Sequence, residues 1–244
     1  MTITRPPVTR SELHRLMSLM TGDEKHSAAA TSTLDVLHVL YDRVLHVDPA
    51  RPDDPARDRF LLSKGHGPMA FYAVLAAHGF LAESELVGWA DHGSRLGLHP
   101  DRTLIPGVEI GSGSLGHGLP IAVGTALGLR ARRIATGPDR PHGPRVVVLV
   151  GDAELDEGSN HEAIAYAGRR GLANLTAVVV DNASATHGWP GVWSETGLAE
   201  RFLVEGWRAI TVDGRDHDAL ELALDAAHHD RPLAVVARVE PKDS

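Results

Sequence analysis

Two apolar runs in this chain end in residues able to hold an anion through a metal ion. Val146-Val147-Val148-Leu149-Val150 leads into Gly151-Asp152-Ala153-Glu154, and Ala177-Val178-Val179-Val180 leads into Asp181-Asn182-Ala183-Ser184. Short, continuous β-branched runs read as strands buried on both faces. Each run therefore delivers an oxygen-bearing side chain to a strand tip, next to small residues. A carboxylate from Asp152, an amide oxygen from Asn182 and a backbone carbonyl from Ser184 form a set of hard oxygen ligands. Mg²⁺ takes such ligands and completes its octahedron with phosphate oxygens and water. Small neighbours let backbone N–H groups come close to an anion. Alone, Asp152 reads as a helix cap, and Asn182 with Ser184 as a turn. Their pairing favours a metal–diphosphate site.

His26, His66 and His99 form a second group, each beside small or kinked residues at a loop or helix entry. Imidazole titrates near ~6.5, so it can take a hydroxyl proton or donate to a carbonyl near neutral pH. His14, His38, His46, His78, His142, His228 and His229 read as surface or structural residues.

The elements that must position these groups follow from periodicity. Helical spacing of apolar residues predicts helices over 11–20, 31–44, 68–78 and 119–134, the last rich in small residues and so suited to tight packing. A short strand is expected at Phe60-Leu61-Leu62. Alternation follows: strand 145–150, helix 159–170, strand 176–181, helix 197–205, strand 207–212, helix 217–228, strand 233–238. Apolar strands separated by helices imply a three-layer, doubly wound, mostly parallel α/β sheet. Ligands of such sheets sit at the carboxyl ends of the strands, where Asp152 and Asn182 fall. The irregular stretch from Glu83 to Gly113 is long enough to suggest function, and Thr136–Pro144 reads as a surface loop.

With 244 residues, 43% of them hydrophobic, the chain has material for one large α/β domain spanning 1–244. A net charge of −8 argues against a general nucleic-acid binder. The absence of cysteine excludes disulfides and thiolate chemistry, and fits a cytoplasmic protein. Met1–Pro7 lacks the apolar core of a signal peptide, and no run approaches the ~20 apolar residues of a membrane helix.

Together these motifs resemble the transketolase family. Gly151-Asp152 followed at a distance by Asn182 is similar to the thiamine diphosphate signature, and Asp156-Glu157-Gly158-Ser159-Asn160-His161-Glu162-Ala163 narrows the likeness. His26-Ser27, Ser63-Lys64-Gly65-His66-Gly67, Leu98-His99-Pro100 and Gly111-Ser112-Gly113-Ser114-Leu115-Gly116-His117-Gly118 recur in the family's order. The likeness runs from about Leu13 to Val239 and implies a thiamine-diphosphate-binding fold. By resemblance, His26 and His99 face the donor as catalytic residues, and His66 lies near the diphosphate. Gly113, Ser114 and Leu115 contact the pyrimidine and brace the bent cofactor. Asp152, Ala153, Glu154, Asn182 and Ser184 hold its diphosphate, with Asp152, Asn182 and Ser184 on Mg²⁺. Glu157 and Glu162 match interface carboxylates that link two active sites.

In the family, the glutamate that activates the pyrimidine belongs to a second domain, for which this chain has no room. The resemblance thus implies the N-terminal subunit of a split transketolase. Its partner would be a C-terminal, pyrimidine-binding chain in an α2β2 assembly, transferring a two-carbon ketol unit from a ketose to an aldose. There are departures. Ala153 stands where glycine is usual, and a positive φ there would add roughly 1 kcal/mol of strain. Ala183 follows Asn182 where glycine or asparagine is common, and His117 replaces glutamine. After Val239 only Glu240-Pro241-Lys242-Asp243-Ser244 remains, without the family's lysine/glycine-rich loop and its histidine. His187 or the partner would take over that task. A thiamine-dependent carboligase or decarboxylase subunit, and a non-catalytic subunit, stay open as alternatives.

Overall fold

The computed structural model describes residues 8–21, 27–132, 143–184, 197–226 and 230–241. Five strands form one sheet: β1 (Arg59–Leu62), β2 (Val146–Gly151), β3 (Leu175–Asp181), β4 (Arg208–Asp213) and β5 (Leu233–Arg238). The spatial order is β1-β2-β3-β5-β4, and every neighbouring pair is parallel. The sheet is thus wholly parallel where the sequence suggests mostly parallel. All carboxyl ends therefore lie on one edge.

Its helices are α1 (Arg10–Met17), α2 (Ser27–Val39), α3 (Met69–Ala77), α4 (Gly118–Arg132), α5 (Gly158–Arg169), α6 (Leu198–Leu203) and α7 (His217–Leu224). Val147, Leu149, Val178, Val180 and Val235 pack on one face with Leu13, Leu34, Leu37, Phe71 and Leu220 from α1, α2, α3 and α7. Val146, Val148, Val150, Val179 and Val236 pack on the other with Leu119, Ala126, Ile164 and Phe202 from α4, α5 and α6. β2 and β3 are covered on both sides, which is why their sequences do not alternate. β4 lies at the edge and is only partly covered. α3 is apolar all round and buried from Met69 to Ala76; helices of that composition belong inside a layered core.

The winding reverses once. From β3 the chain passes through α6 to β4 at the edge, then returns through α7 to place β5 between them. Most sequence boundaries fall within a residue or two of the observed ones, the usual scatter at frayed ends. The helix expected over 31–44 starts earlier, at Ser27, and its last turn, Leu40–Val44, widens to a π-type turn. The loop after β2 carries an unanticipated 3₁₀ turn at Ala153–Asp156. Most of the expected surface loop at 136–144 lies outside the described residues. No described helix is long and apolar enough to cross a membrane.

Candidate active site

The tips of β2 and β3 meet at the carboxyl edge. The Asp152 N–H donates to the Val180 carbonyl at 3.1 Å, which continues the ladder one residue past Gly151. Asp152 is buried, and its two carboxylate oxygens accept from the Ser184 N–H and the Ser184 hydroxyl, each at 2.6 Å. Ionised carboxylates offer about four lone-pair sites, so these bonds orient Asp152 without exhausting it. Asn182 is also buried, and its Oδ1 is sealed from solvent with no donor among the described residues facing it. An unsatisfied buried acceptor is costly, and a cation would satisfy it. Asp181 is a neighbour that the sequence reading passed over. Burial pushes its carboxyl above the ordinary range, the Ala183 N–H pulls it back, and the Asp152 charge adds to the rise. The two carboxylates create a locally negative field that favours a cation.

The ligand chemistry at these tips is carboxylate, amide and hydroxyl or carbonyl oxygen. Among the described residues no cluster of His, Cys, Asp and Glu could hold a metal by itself. An all-oxygen set suits a hard cation that keeps places for phosphate oxygens and water. Asp152, Asn182 and Ser184 fit that group.

The backbone departure also has a location. Ala183 has φ +54°, in the left-handed region, whereas Ala153 does not have a positive φ. Ala153 begins the 3₁₀ turn after Asp152, a conformation any residue adopts. Strain at Ala153 is therefore absent, and the left-handed step falls at Ala183, between Asn182 and Ser184.

Glu154, read from the sequence as a cofactor contact, is engaged within the chain itself. It is 1% exposed. Its Oε1 accepts from the Ser63 hydroxyl and, at 3.0 Å, from the Gly116 N–H; its Oε2 accepts from the Gly151 N–H at 3.2 Å. Burial raises its pKa against the pull of those three donors. The side chain ties the chain to itself.

A second wall comes from the loops after β1 and before α4. The Tyr72 hydroxyl and Trp89 Nε1 both donate to the Gly97 carbonyl, at 2.9 and 3.2 Å, which anchors the long loop two residues before His99. His99 Nδ1 lies 3.1 Å from the Gly65 carbonyl. That partner requires a proton on Nδ1 and leaves Nε2 as the basic nitrogen. His66, exposed, stands edge-on to His99 with ring centroids 5.5 Å apart. Gly113, with φ +123°, backs onto the His99 ring, and a Cβ there would come within 3.0 Å of it. Gly113 thus lies against the histidine pair, and Ser114 and Leu115 follow it in the same turn, Ser114 exposed and Leu115 half-buried. Lys64, which sequence reasoning left unassigned, is buried; its stem lies across Gly151 and its ammonium donates to Ser32 Oγ at 2.8 Å. A lysine between two motif residues gives no periodicity signal that separates it from surface lysines.

Glu157 and Glu162 are exposed at and near the start of α5. His26 and His187 lie outside the described residues. The structure therefore brings together His66, His99 and Gly113, and Lys64, two residues before His66, lays its stem across the β2 tip at Gly151.

Residues 16–239 match the family model for transketolase, thiamine diphosphate binding domain. The chain is 56% identical over 228 residues to a Rhodococcoides fascians protein named ferredoxin fas2, a match covering 93% of this chain and 71% of that protein. It is 39% identical over 236 residues to the transketolase family protein y4mO of Sinorhizobium fredii, covering 93% and 80%. A transketolase of Cereibacter sphaeroides is 34% identical over 216 residues, covering 87% of this chain and 33% of that protein. Among solved structures, a transketolase mutant from Pichia stipitis superposes with TM-score 0.76 at 26% identity, over 94% of this chain and 36% of that one.

Proposed function

The chain belongs to the transketolase family through its thiamine diphosphate binding domain, and on that premise we propose that it is the diphosphate-binding half of a two-component, Mg²⁺-dependent transketolase. The carrying observation is the sealed Asn182 Oδ1, without a donor among the described residues, beside the buried Asp152 carboxylate on adjacent strand tips. Asp152, Asn182 and the Ser184 carbonyl would hold the metal, and the metal the diphosphate. When bound, thiamine diphosphate supplies the electron sink that lets a carbon–carbon bond next to a carbonyl break and re-form.

The chain's own residues supply binding and proton handling. His99 Nε2, freed by the Nδ1 bond to Gly65, can accept a proton from a donor hydroxyl, and exposed His66 can hydrogen-bond a phosphate or hydroxyl. By resemblance, His26 would complete the donor-facing set. Gly113 to Leu115 would line the ring side of the cofactor. The start of α5 follows the β2 tip closely, and its N–H dipoles favour an anion there.

The remaining half of the catalyst is assigned to a second chain. The match spans 33% of the Cereibacter sphaeroides transketolase but 80% of y4mO and 71% of fas2, so relatives of comparable length exist. Glu157 and Glu162 face outward and are available for such an interface. An α2β2 assembly in the cytoplasm, with one domain from this chain, is the arrangement proposed.

The test is reconstitution. Mixing this chain with a pyrimidine-binding partner should give ketol transfer from a ketose phosphate to an aldose, dependent on thiamine diphosphate and Mg²⁺. No transfer at any ratio, with both chains folded, refutes the proposal. Release of CO₂ from a 2-oxo acid, with no turnover of ketoses, replaces it with a decarboxylase or carboligase subunit.

A further inference from the structure

We propose that Glu154 is a positioning residue whose single carboxylate locks the Gly113–Gly118 turn onto the tips of β1 and β2. It thereby fixes where the ring system of the cofactor lies relative to its diphosphate. The inference rests on the cofactor reading above.

The bonds made by Glu154 join three segments remote in sequence. Ser63 follows β1, Gly151 ends β2 and Gly116 sits in the turn that enters α4; all three donate to the one carboxylate. Ser63 Oγ in turn accepts from the Gly118 N–H at 3.0 Å. The same turn is fastened from its other side, where the Ser159 hydroxyl donates to the Gly116 carbonyl at 2.6 Å. Asn160 Nδ2 donates to Glu154's own carbonyl at 2.7 Å. A buried network in which one carboxylate accepts from three donors rigidifies what it joins.

The turn has no slack. A Cβ on Gly118 would come within 2.2 Å of Ser63 Cβ, and one on Gly116, whose φ is +81°, within 2.7 Å of Glu157 and Ser159. At its far end Gly113 abuts the His99 ring. A movement at Gly116 is therefore passed to Gly113 and His99. Asp152 and Ser184 hold one another by separate bonds. The carboxylate accepts from three donors of this chain, so its burial is explained without a ligand.

The variants Glu154→Gln, Glu154→Ala and Ser63→Ala, made in the full chain and studied alone and with the proposed partner, test this. Hydrogen exchange is read at Gly116, Gly118 and Gly151, and calorimetry compares Mg²⁺–pyrophosphate with Mg²⁺–thiamine diphosphate. The carboxamide of Glu154→Gln has one acceptor oxygen where the carboxylate has two. Exchange at Gly116 or Gly151 should therefore quicken about tenfold or more, the effect of one lost internal hydrogen bond. In Ser63→Ala, Gly118 should quicken instead. Thiamine diphosphate affinity should fall about tenfold in the Glu154 variants, with pyrophosphate affinity changed less than about twofold, because the Asp152–Ser184 bonds at the β2 and β3 tips do not involve Glu154. Equal losses for both ligands indicate a general structural role and overturn the inference, as does unchanged exchange with normal binding. A wild-type chain that takes neither ligand, even with its partner, overturns the cofactor reading as well. Should Glu154→Ala fail to fold, Glu154→Gln, nearly isosteric, carries the test.

Discussion

Replacing Ala183 by glycine should stabilise this protein, although glycine substitutions usually destabilise. Ala183 has φ +54°, where an L side chain costs about 1–2 kcal/mol. Glycine removes that cost but adds freedom to the unfolded chain, worth about 0.4–1 kcal/mol in the other direction. The methyl group is exposed, so no packing is lost, and the 3.4 Å contact from the Ala183 N–H to Asp181 survives. The net gain is about 0.8 kcal/mol, equivalent to a rise in Tm of ~2–3 °C for a chain of this size. The converse substitution, Ala153→Gly, falls at the 3₁₀ turn after Asp152 and should destabilise by about 0.5–1 kcal/mol. Urea titrations of the two variants, read as shifts in midpoint at constant slope, separate them by sign. A loss of stability in Ala183→Gly, or shifts of the same sign in both, refutes the assignment of the left-handed step to Ala183.

Asp152→Ala should weaken Mg²⁺-dependent thiamine diphosphate binding at least about a hundredfold, since even outer-shell partners of a metal are worth 10–100-fold; unchanged affinity in calorimetry would refute the metal site. Gly168→Ala should cost about 3 kcal/mol in urea melts, because its Cβ would fall 1.8 Å from the backbone carbonyl oxygen of Glu205, at the top of the overpacking range. His38 is buried, its Nδ1 without a partner among the described residues, and burial holds its pKa below 6.5. Its neutral form thus contributes stability above pH 6.5 that is lost as pH falls through 6.5 toward the folded value. Asp35, buried yet held below 3.8 by His217 and Arg215, loses its contribution only further down, as pH falls below 3.8. His38→Leu should flatten the decline in melting temperature just below pH 6.5 and leave the steeper acid limb in place; an unchanged slope there would show that His38 does not titrate on unfolding.

Much of the fold was legible because burial on two faces leaves a signature in one dimension. The runs at 146–150 and 177–180 have no alternation, and only a covered parallel strand tolerates that. The same runs place Asp152 and Asn182 at their carboxyl ends, so the strand tips could be read as a site before any geometry was known. The family likeness singled out His66, His99 and Gly113, which the fold brings against one another.

What the chain order could not disclose is how remote groups share partners. Glu154 sits two residues from a metal-ligand candidate and reads, by the family likeness, as a contact to the cofactor diphosphate. Only the folded chain brings Ser63 and Gly116 to its oxygens, 91 and 38 residues away. The left-handed step at Ala183 rather than Ala153 was likewise undetermined, since both alanines follow a polar residue at a strand tip and local sequence does not set φ. Asp181 and Lys64 acquire meaning only from burial and from what lies across from them. Periodicity reports which face of an element is dry. Tertiary packing alone decides which polar atoms meet there, because hydrogen bonds act over about 3 Å between groups whose separation along the chain is unconstrained.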